Sequence, residues 1–351
     1  MKPASPTIKD VAAAAGVSIA TVSAVLNGTV RVSPQRSELV RNAIASLGYA
    51  PNGPARSLRL GRTKVIGIVV GDITNPFFTS LIHVIEQRAS EAGYFVMIAN
   101  SDDDMVRELE LLRLFREQRV AGILLAPAGH DESYVSALRE MVDVPTVLID
   151  RQLPGMPFDT VVVDNQKAAR AVTQYLLRLG HRRIGIVIGD PQLWTTSQRL
   201  VGHKLALIEA GIAPDPNLEC YADAREGAAY QAVQRLLTAV DPPTAIFAAN
   251  NLMMLATSEA VLDMGYRCPD DISIAGVDDL PWSSAIRPKL TTACQPIEEI
   301  GKEALKLLLD RLNDVKRENL DTKFVMLEPR LFIQSSCARI ADVALQGEVH
   351  A

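Results

Sequence analysis

The sequence predicts a small all-α helix-turn-helix head joined to an α/β body of two parallel-sheet lobes. Three observations carry that expectation. The first 64 residues hold nine Lys or Arg against Asp10 and Glu38, a net of +7, whereas the remaining 287 hold 27 bases against 39 acids, a net of −12. Helical patterns punctuated at Gly16 and Gly48 fill the basic head, and from Lys64 short β-rich apolar runs alternate with amphipathic helices. At 351 residues and 48% hydrophobic, the chain has material for more than one core.

In the head, Thr7 followed by Asp10 reads as a capping box with a shortened acid, opening a helix through about Ala15. Gly16 suits a position of positive φ, and Ser18 is a good N-cap for a second helix from Ile19 to about Leu26. Val11, Ala12, Ala15, Val17, Val22 and Val25 are then expected to share a core, Ala12 being small enough for a close crossing. A third helix begins at Pro34 behind a Ser33 cap and stops at Gly48. This is helix-turn-helix spacing, whose second helix enters the DNA major groove. A basic head on an acidic body also points to a polyanion partner for the head alone.

In the body, strands are expected at 65–70, 94–99, 122–126 and 146–149, and a second series at 184–188, 245–248 and 272–277. Helical patterns at 77–92, 104–118, 197–210, 227–239 and 251–264 separate them. Apolar strands separated by helices mean parallel sheets covered on both faces, and such sheets bind ligands at their carboxyl ends. Polar residues follow those strands: Asp72 and Asn75-Pro-Phe77, Asp150-Arg151, Asn250-Asn251 and Asp278-Asp279. Carboxylates, amides and guanidinium groups converging on one cleft suit a polyhydroxylated ligand, since each hydroxyl both donates and accepts.

Several function classes fall away. No GxSxG, HExxH or P-loop is present, and the five histidines lack triad or metal spacing. Asp102-Asp103-Asp104 precedes a helix and reads as N-terminal charge rather than a metal cluster. The four scattered cysteines form no CxxC pair, so no metal, cofactor or disulfide framework is expected. With neither an apolar run behind the first residues nor one long enough to span a membrane, a cytoplasmic, nucleoid-associated protein is expected. A sugar-binding transport component would show the reverse pattern, a signal peptide and no basic head.

The segments Thr7-Ile-Lys-Asp-Val-Ala, Ala15-Gly-Val-Ser-Ile-Ala-Thr-Val-Ser-Ala-Val-Leu-Asn27, Leu47-Gly-Tyr-Ala-Pro-Asn52 and Ala55-Arg-Ser-Leu58 resemble the head of the LacI/GalR family of regulators. The resemblance runs over nearly the whole chain. It implies a DNA-binding domain over 1–53, a hinge helix and linker over 54–63, and a two-lobe body of periplasmic-binding-protein type I over 64–351. One lobe is expected at about 64–160 plus 293–321 and the other at about 161–292 plus 322–340.

The resemblance also assigns roles. Ser18 caps the reading helix, and Ile19, Ala20 and Ala24 stand at base-reading positions, Ala24 being a departure where relatives often carry Arg or His. Three apolar readers can pack on thymine methyls but cannot form bidentate bonds to purines. Thr21, Ser23 and Asn27 suit phosphate oxygens. Ala55, Arg56 and Leu58 belong to a hinge too short to be stable alone, with Leu58 the minor-groove wedge. Asp150, Arg199, Asn250 and Asp278 hold the effector, joined by Asn75, Phe77, Arg151 and Gln295. Leu193 replaces an arginine of the purine-responsive relative, and Ala224 replaces a stacking ring that Trp194 could supply. The implied partners are palindromic operator DNA, a sugar, sugar acid or sugar phosphate, and a second copy of the chain. A tail after Arg339 of less than two heptads, broken by Gly347, predicts a dimer rather than a tetramer.

Overall fold

The computed structural model describes residues 6–27, 32–49, 63–153, 155–222, 227–279, 285–314 and 321–340. They fall into two compact units, Met1–Thr63 and Lys64–Ala351. The hinge residues Ala55, Arg56 and Leu58, the position of Ala224, and the tail from 341 onward lie outside the described residues.

The first unit contains α1 (Ile8–Ala15), α2 (Ile19–Asn27) and α3 (Pro34–Leu47). The Asp10 carboxylate accepts from both the backbone N–H and the hydroxyl of Thr7 at 2.7 Å, fastening the start of α1. Gly16 ends it at φ 64°, a conformation that costs a residue with a Cβ, and the chain turns so that α1 and α2 meet at 104°. Ser18 then accepts the Thr21 N–H at 3.2 Å and caps α2. Val11, Ala12, Ala15 and Val22 are buried with Val40 and Ala43 of α3, while Val17 and Val25 pack at the edge. Ser33 differs from expectation: its side chain makes no cap hydrogen bond. The start of α3 rests on Pro34, whose fixed φ and missing N–H suit a first turn.

The second unit contains two six-stranded sheets. The first has the order β11-β5-β4-β3-β1-β2, built from β1 (Val65–Val70), β2 (Phe95–Asn100), β3 (Gly122–Leu125), β4 (Thr146–Ile149), β5 (Asp159–Val163) and β11 (Phe324–Leu327). All of its pairings are parallel. Helices α4 (Pro76–Glu91), α5 (Met105–Glu117), α6 (Glu132–Met141) and α11 (Ile297–Asn313) accompany it. The second has the order β12-β10-β9-β8-β6-β7, built from β6 (Ile184–Ile188), β7 (Glu219–Tyr221), β8 (Ala245–Ala248), β9 (Ser273–Val277), β10 (Thr291–Cys294) and β12 (Arg330–Phe332). Only its β10–β12 pairing is antiparallel. Its helices are α7 (Asn165–Arg178), α8 (Trp194–Glu209), α9 (Ala228–Leu237) and α10 (Asn251–Asp263).

This topology corrects the expected lobe boundaries. Crossings expected near 160, 292 and 322 fall after β5, after β10 and after β11. The reason is pairing: Asp159–Val161 register with β4 and Thr160–Val163 with β11, which keeps β5 and 324–327 in the first sheet. Burial follows the parallel topology, with strands β1, β3, β4, β5, β6, β8 and β9 almost wholly buried. At Gly202 on α8 an added Cβ would collide with the Gln166 backbone carbonyl, so the α7–α8 approach requires glycine there.

Candidate functional site

Both sheets send the carboxyl ends of their strands into one cavity of about 480 Å3 between the lobes. From the first lobe come Asp72, Asn75, Phe77 and Phe78 after β1, Asp102 and Asp103 after β2, Ala128 and His130 after β3, and Asp150 and Arg151 after β4. From the second come Asp190, Gln192 and Leu193 after β6, Arg199 on α8, Tyr221, Asn250 after β8 and Asp278 after β9, with Gln295 on a crossover. Strand ends are where a parallel sheet leaves its backbone free to turn, so functional side chains collect there.

Four of these carboxylates sit on backbone that L residues seldom adopt: Asp102 at φ 56°, Asp103 at 57°, Asp150 at 65° and Asp278 at 71°. Such conformations cost about 1–3 kcal/mol each and cluster at binding sites. Asp150 and Asp278 are also buried, which pushes both carboxyls upward, Asp150 to about 6. Arg199 opposes the rise at both, Arg151 at Asp150, and at Asp278 the Gln295 amide donates at 2.6 Å. Arg199 is itself fixed, its Nε donating to Asn165 Oδ1 at 2.7 Å and its Nη1 to the Ala249 carbonyl at 2.6 Å. Arg151 donates to Asp103 at 2.6 Å and to the Pro127 carbonyl at 3.1 Å, with Asp150 3.4 Å from its Nε.

Asn75 and Asn250 each do two things. Asn75 caps α4 through the Phe77 N–H at 2.9 Å and accepts from Asn251 of the other lobe at 3.0 Å. Asn250 caps α10 through the Met253 N–H at 2.8 Å and still faces the cavity.

The cavity thus brings together Asp150, Arg199, Asn250, Asp278, Asn75, Phe77, Arg151 and Gln295, and Leu193 lines it too. Trp194 is a correction: it opens α8 half-buried, and the cavity wall there passes to Leu193, Thr195 and Thr196. The Asp102–Asp104 run divides likewise. Asp104 caps α5 through the Arg107 N–H at 2.9 Å, as expected of N-terminal charge, but Asp102 and Asp103 face the cavity. Sequence reading also passed over Tyr221, His130 and Asp190; the last follows β6 and was findable by the same strand-end rule.

In the head, Ile19 and Ala20 are exposed at the start of α2, and Ser18 and Thr21 share a hydroxyl contact at 2.9 Å. Ser23 and Ala24 are half-buried on the following turn, and Asn27 closes the helix.

Residues 7–52 match the model for bacterial regulatory proteins of the lacI family, and 173–337 match that for a periplasmic binding protein-like domain. The HTH-type transcriptional repressor PurR of Photobacterium profundum is 35% identical over 94% of this chain and 98% of its own length. The chain belongs to the LacI family. Among solved structures, the lac repressor dimer bound to operator and the anti-inducer ONPF is 26% identical with a TM-score of 0.84, covering 95% of this chain and 99% of that one. The transcriptional regulator CelR in complex with cellobiose is 32% identical with a TM-score of 0.70, covering 94% and 99%. This LacI-family protein is therefore a DNA-binding transcriptional repressor, not an enzyme.

Proposed function

We propose that the cavity takes a neutral sugar and that the bound sugar alters the hold of a homodimer on a palindromic operator in the cytoplasm. The lining carries the reading. Six aspartates (Asp72, Asp102, Asp103, Asp150, Asp190 and Asp278) face two guanidinium groups, and Arg151 is already committed to Asp103. An anionic sugar acid or sugar phosphate would meet a wall of its own sign, whereas uncharged hydroxyls can donate to every carboxylate. Phe77 and Phe78, packed edge-on at 5.1 Å, offer apolar surface on the first lobe. Tyr221, 45% exposed with its hydroxyl held by Glu219 at 2.7 Å, offers a ring on the second. In this reading it supplies the face sought at Ala224 or Trp194. CelR was solved with a sugar, which supports the class.

A second reading is a purine, as in the purine-responsive relative of the family. Leu193 at the cavity wall argues against it, since an aliphatic side chain offers a nucleobase no hydrogen bond. A thermal-shift screen of neutral mono- and disaccharides against sugar acids, sugar phosphates and purines decides between these, because a bound ligand stabilises the fold by mass action. Stabilisation by a neutral sugar is expected. Stabilisation confined to the anions or purines overturns the reading.

On the DNA side, Ser18, Ile19, Ala20, Thr21, Ser23, Ala24 and Asn27 form the major-groove face. Ala55, Arg56 and Leu58 serve the minor groove when two hinges meet. The support is the exposed start of α2 and the net +7 of the head, which favours phosphate contacts.

A further inference from the structure

We propose that Glu108, which does not line the cavity, is a positioning residue for it: it clamps the 126–130 turn through Ala128 and so shapes the first-lobe wall. Glu108 lies on α5 and is wholly buried. One carboxylate oxygen accepts the Ala128 N–H at 2.9 Å, and the other accepts the Tyr134 hydroxyl from α6. Ala128 and His130 of that turn face the cavity. The turn is pinned at neighbouring points as well. Ala126 N–H donates to the Val69 carbonyl at 2.9 Å, and the Pro127 carbonyl accepts from Arg151, itself a wall residue. There is no slack between them, because a Cβ on Gly129 would collide with the Tyr134 ring and lie 2.7 Å from Met105 Sδ.

A hydrocarbon side chain at 108 would fill the space but leave the Ala128 N–H buried without an acceptor. A carboxyl keeps an acceptor there in either ionisation state. Burial pushes Glu108 up to about 7 against the opposing Tyr134 and Ala128 hydrogen bonds and Arg151, with Asp103 the like charge nearby. When protonated it still offers a carbonyl oxygen to Ala128 and can donate to the Tyr134 oxygen. Glutamine has the same donor and acceptor pattern as the protonated acid.

The functional consequence rests on the sugar reading above; the clamp itself does not. Hydrogen exchange of the full-length protein, compared at one pH, tests the clamp. Glu108→Ala should speed exchange in peptides spanning 126–131 at least tenfold while 122–125 stays protected. Glu108→Gln should match the wild type, and Tyr134→Phe, which leaves the Ala128 bond, should fall near it. Wild-type protection of the turn in Glu108→Ala, or faster exchange throughout the first lobe, would overturn the clamp. Against a panel of neutral mono- and disaccharides, any sugar that stabilises the wild type should bind Glu108→Ala at least tenfold more weakly and Glu108→Gln equally. Undiminished binding by Glu108→Ala overturns the link to the cavity. A wild type that responds to no sugar overturns the sugar reading and with it that link, while exchange still decides the clamp.

Discussion

Arg199→Ala and Asp278→Ala should each abolish the effector response of operator binding while leaving effector-free DNA affinity within a few-fold. Both side chains are buried in the cavity, and both belong to the second lobe, whereas Asp150 closes the cavity from the first. A sugar bonded to both lobes favours the lobe arrangement in which all its partners meet, and it shifts that equilibrium only through differential affinity. Removing Arg199 also leaves Asn165 Oδ1 and the Ala249 carbonyl without their donor and strips the cation that opposes the rise of Asp150 and Asp278. Truncating one member of a buried charged network costs on the order of 2–4 kcal/mol, roughly 30- to 1,000-fold in effector affinity. Operator binding followed by fluorescence anisotropy, with and without saturating sugar, reads this directly. Normal responses in both variants would remove the cavity as the sensor.

The pH dependence of stability should change sharply on replacing Glu108 with Gln. Burial raises the folded-state value of Glu108 from 4.5 to about 7, so the folded protein retains a proton that the unfolded chain releases. Its contribution is full below about 4.5, fades as pH rises toward 7, and is absent above. The span corresponds to roughly 3 kcal/mol lost by the wild type between acid and alkaline solution. Glutamine cannot ionise and keeps the Ala128 acceptor, so the Glu108→Gln protein should gain on the wild type by about 2.5 kcal/mol between pH 5 and pH 8. Urea unfolding at the two pH values measures it. Asp150, pushed up to about 6, titrates in both proteins and cancels in the difference. A difference between variant and wild type that does not change with pH would show that Glu108 is already ionised at no cost.

The head was legible because its signals are local. Thr7 with Asp10, Gly16 and Gly48 each fix a boundary within one turn of chain. Strands 146–149, 184–188 and 245–248 were equally clear as apolar runs with polar residues behind them. β11 was not assigned to the first lobe, since the strand it joins there, β5, lies more than a hundred residues away in sequence. Asp150, Arg199, Asn250 and Asp278 came from resemblance joined to the strand-end rule. Asp103 escaped because a capping reading accounts equally well for any acid before a helix, and only its left-handed backbone and contact with Arg151 separate it from Asp104. Glu108 carried no signal at all. A glutamate within an amphipathic helix reads as solvent-facing, and its burial depends on α6 and the 126–130 turn closing over it.

Coupling between the cavity and DNA is the central claim, and reciprocity tests it most directly. Binding of the stabilising sugar is measured by calorimetry on the free protein and on the protein saturated with its operator. If the sugar changes operator affinity by some factor, the operator must change sugar affinity by the same factor, typically 5- to 150-fold. Two such equal factors are expected. Identical sugar affinity in the presence and absence of operator would contradict it.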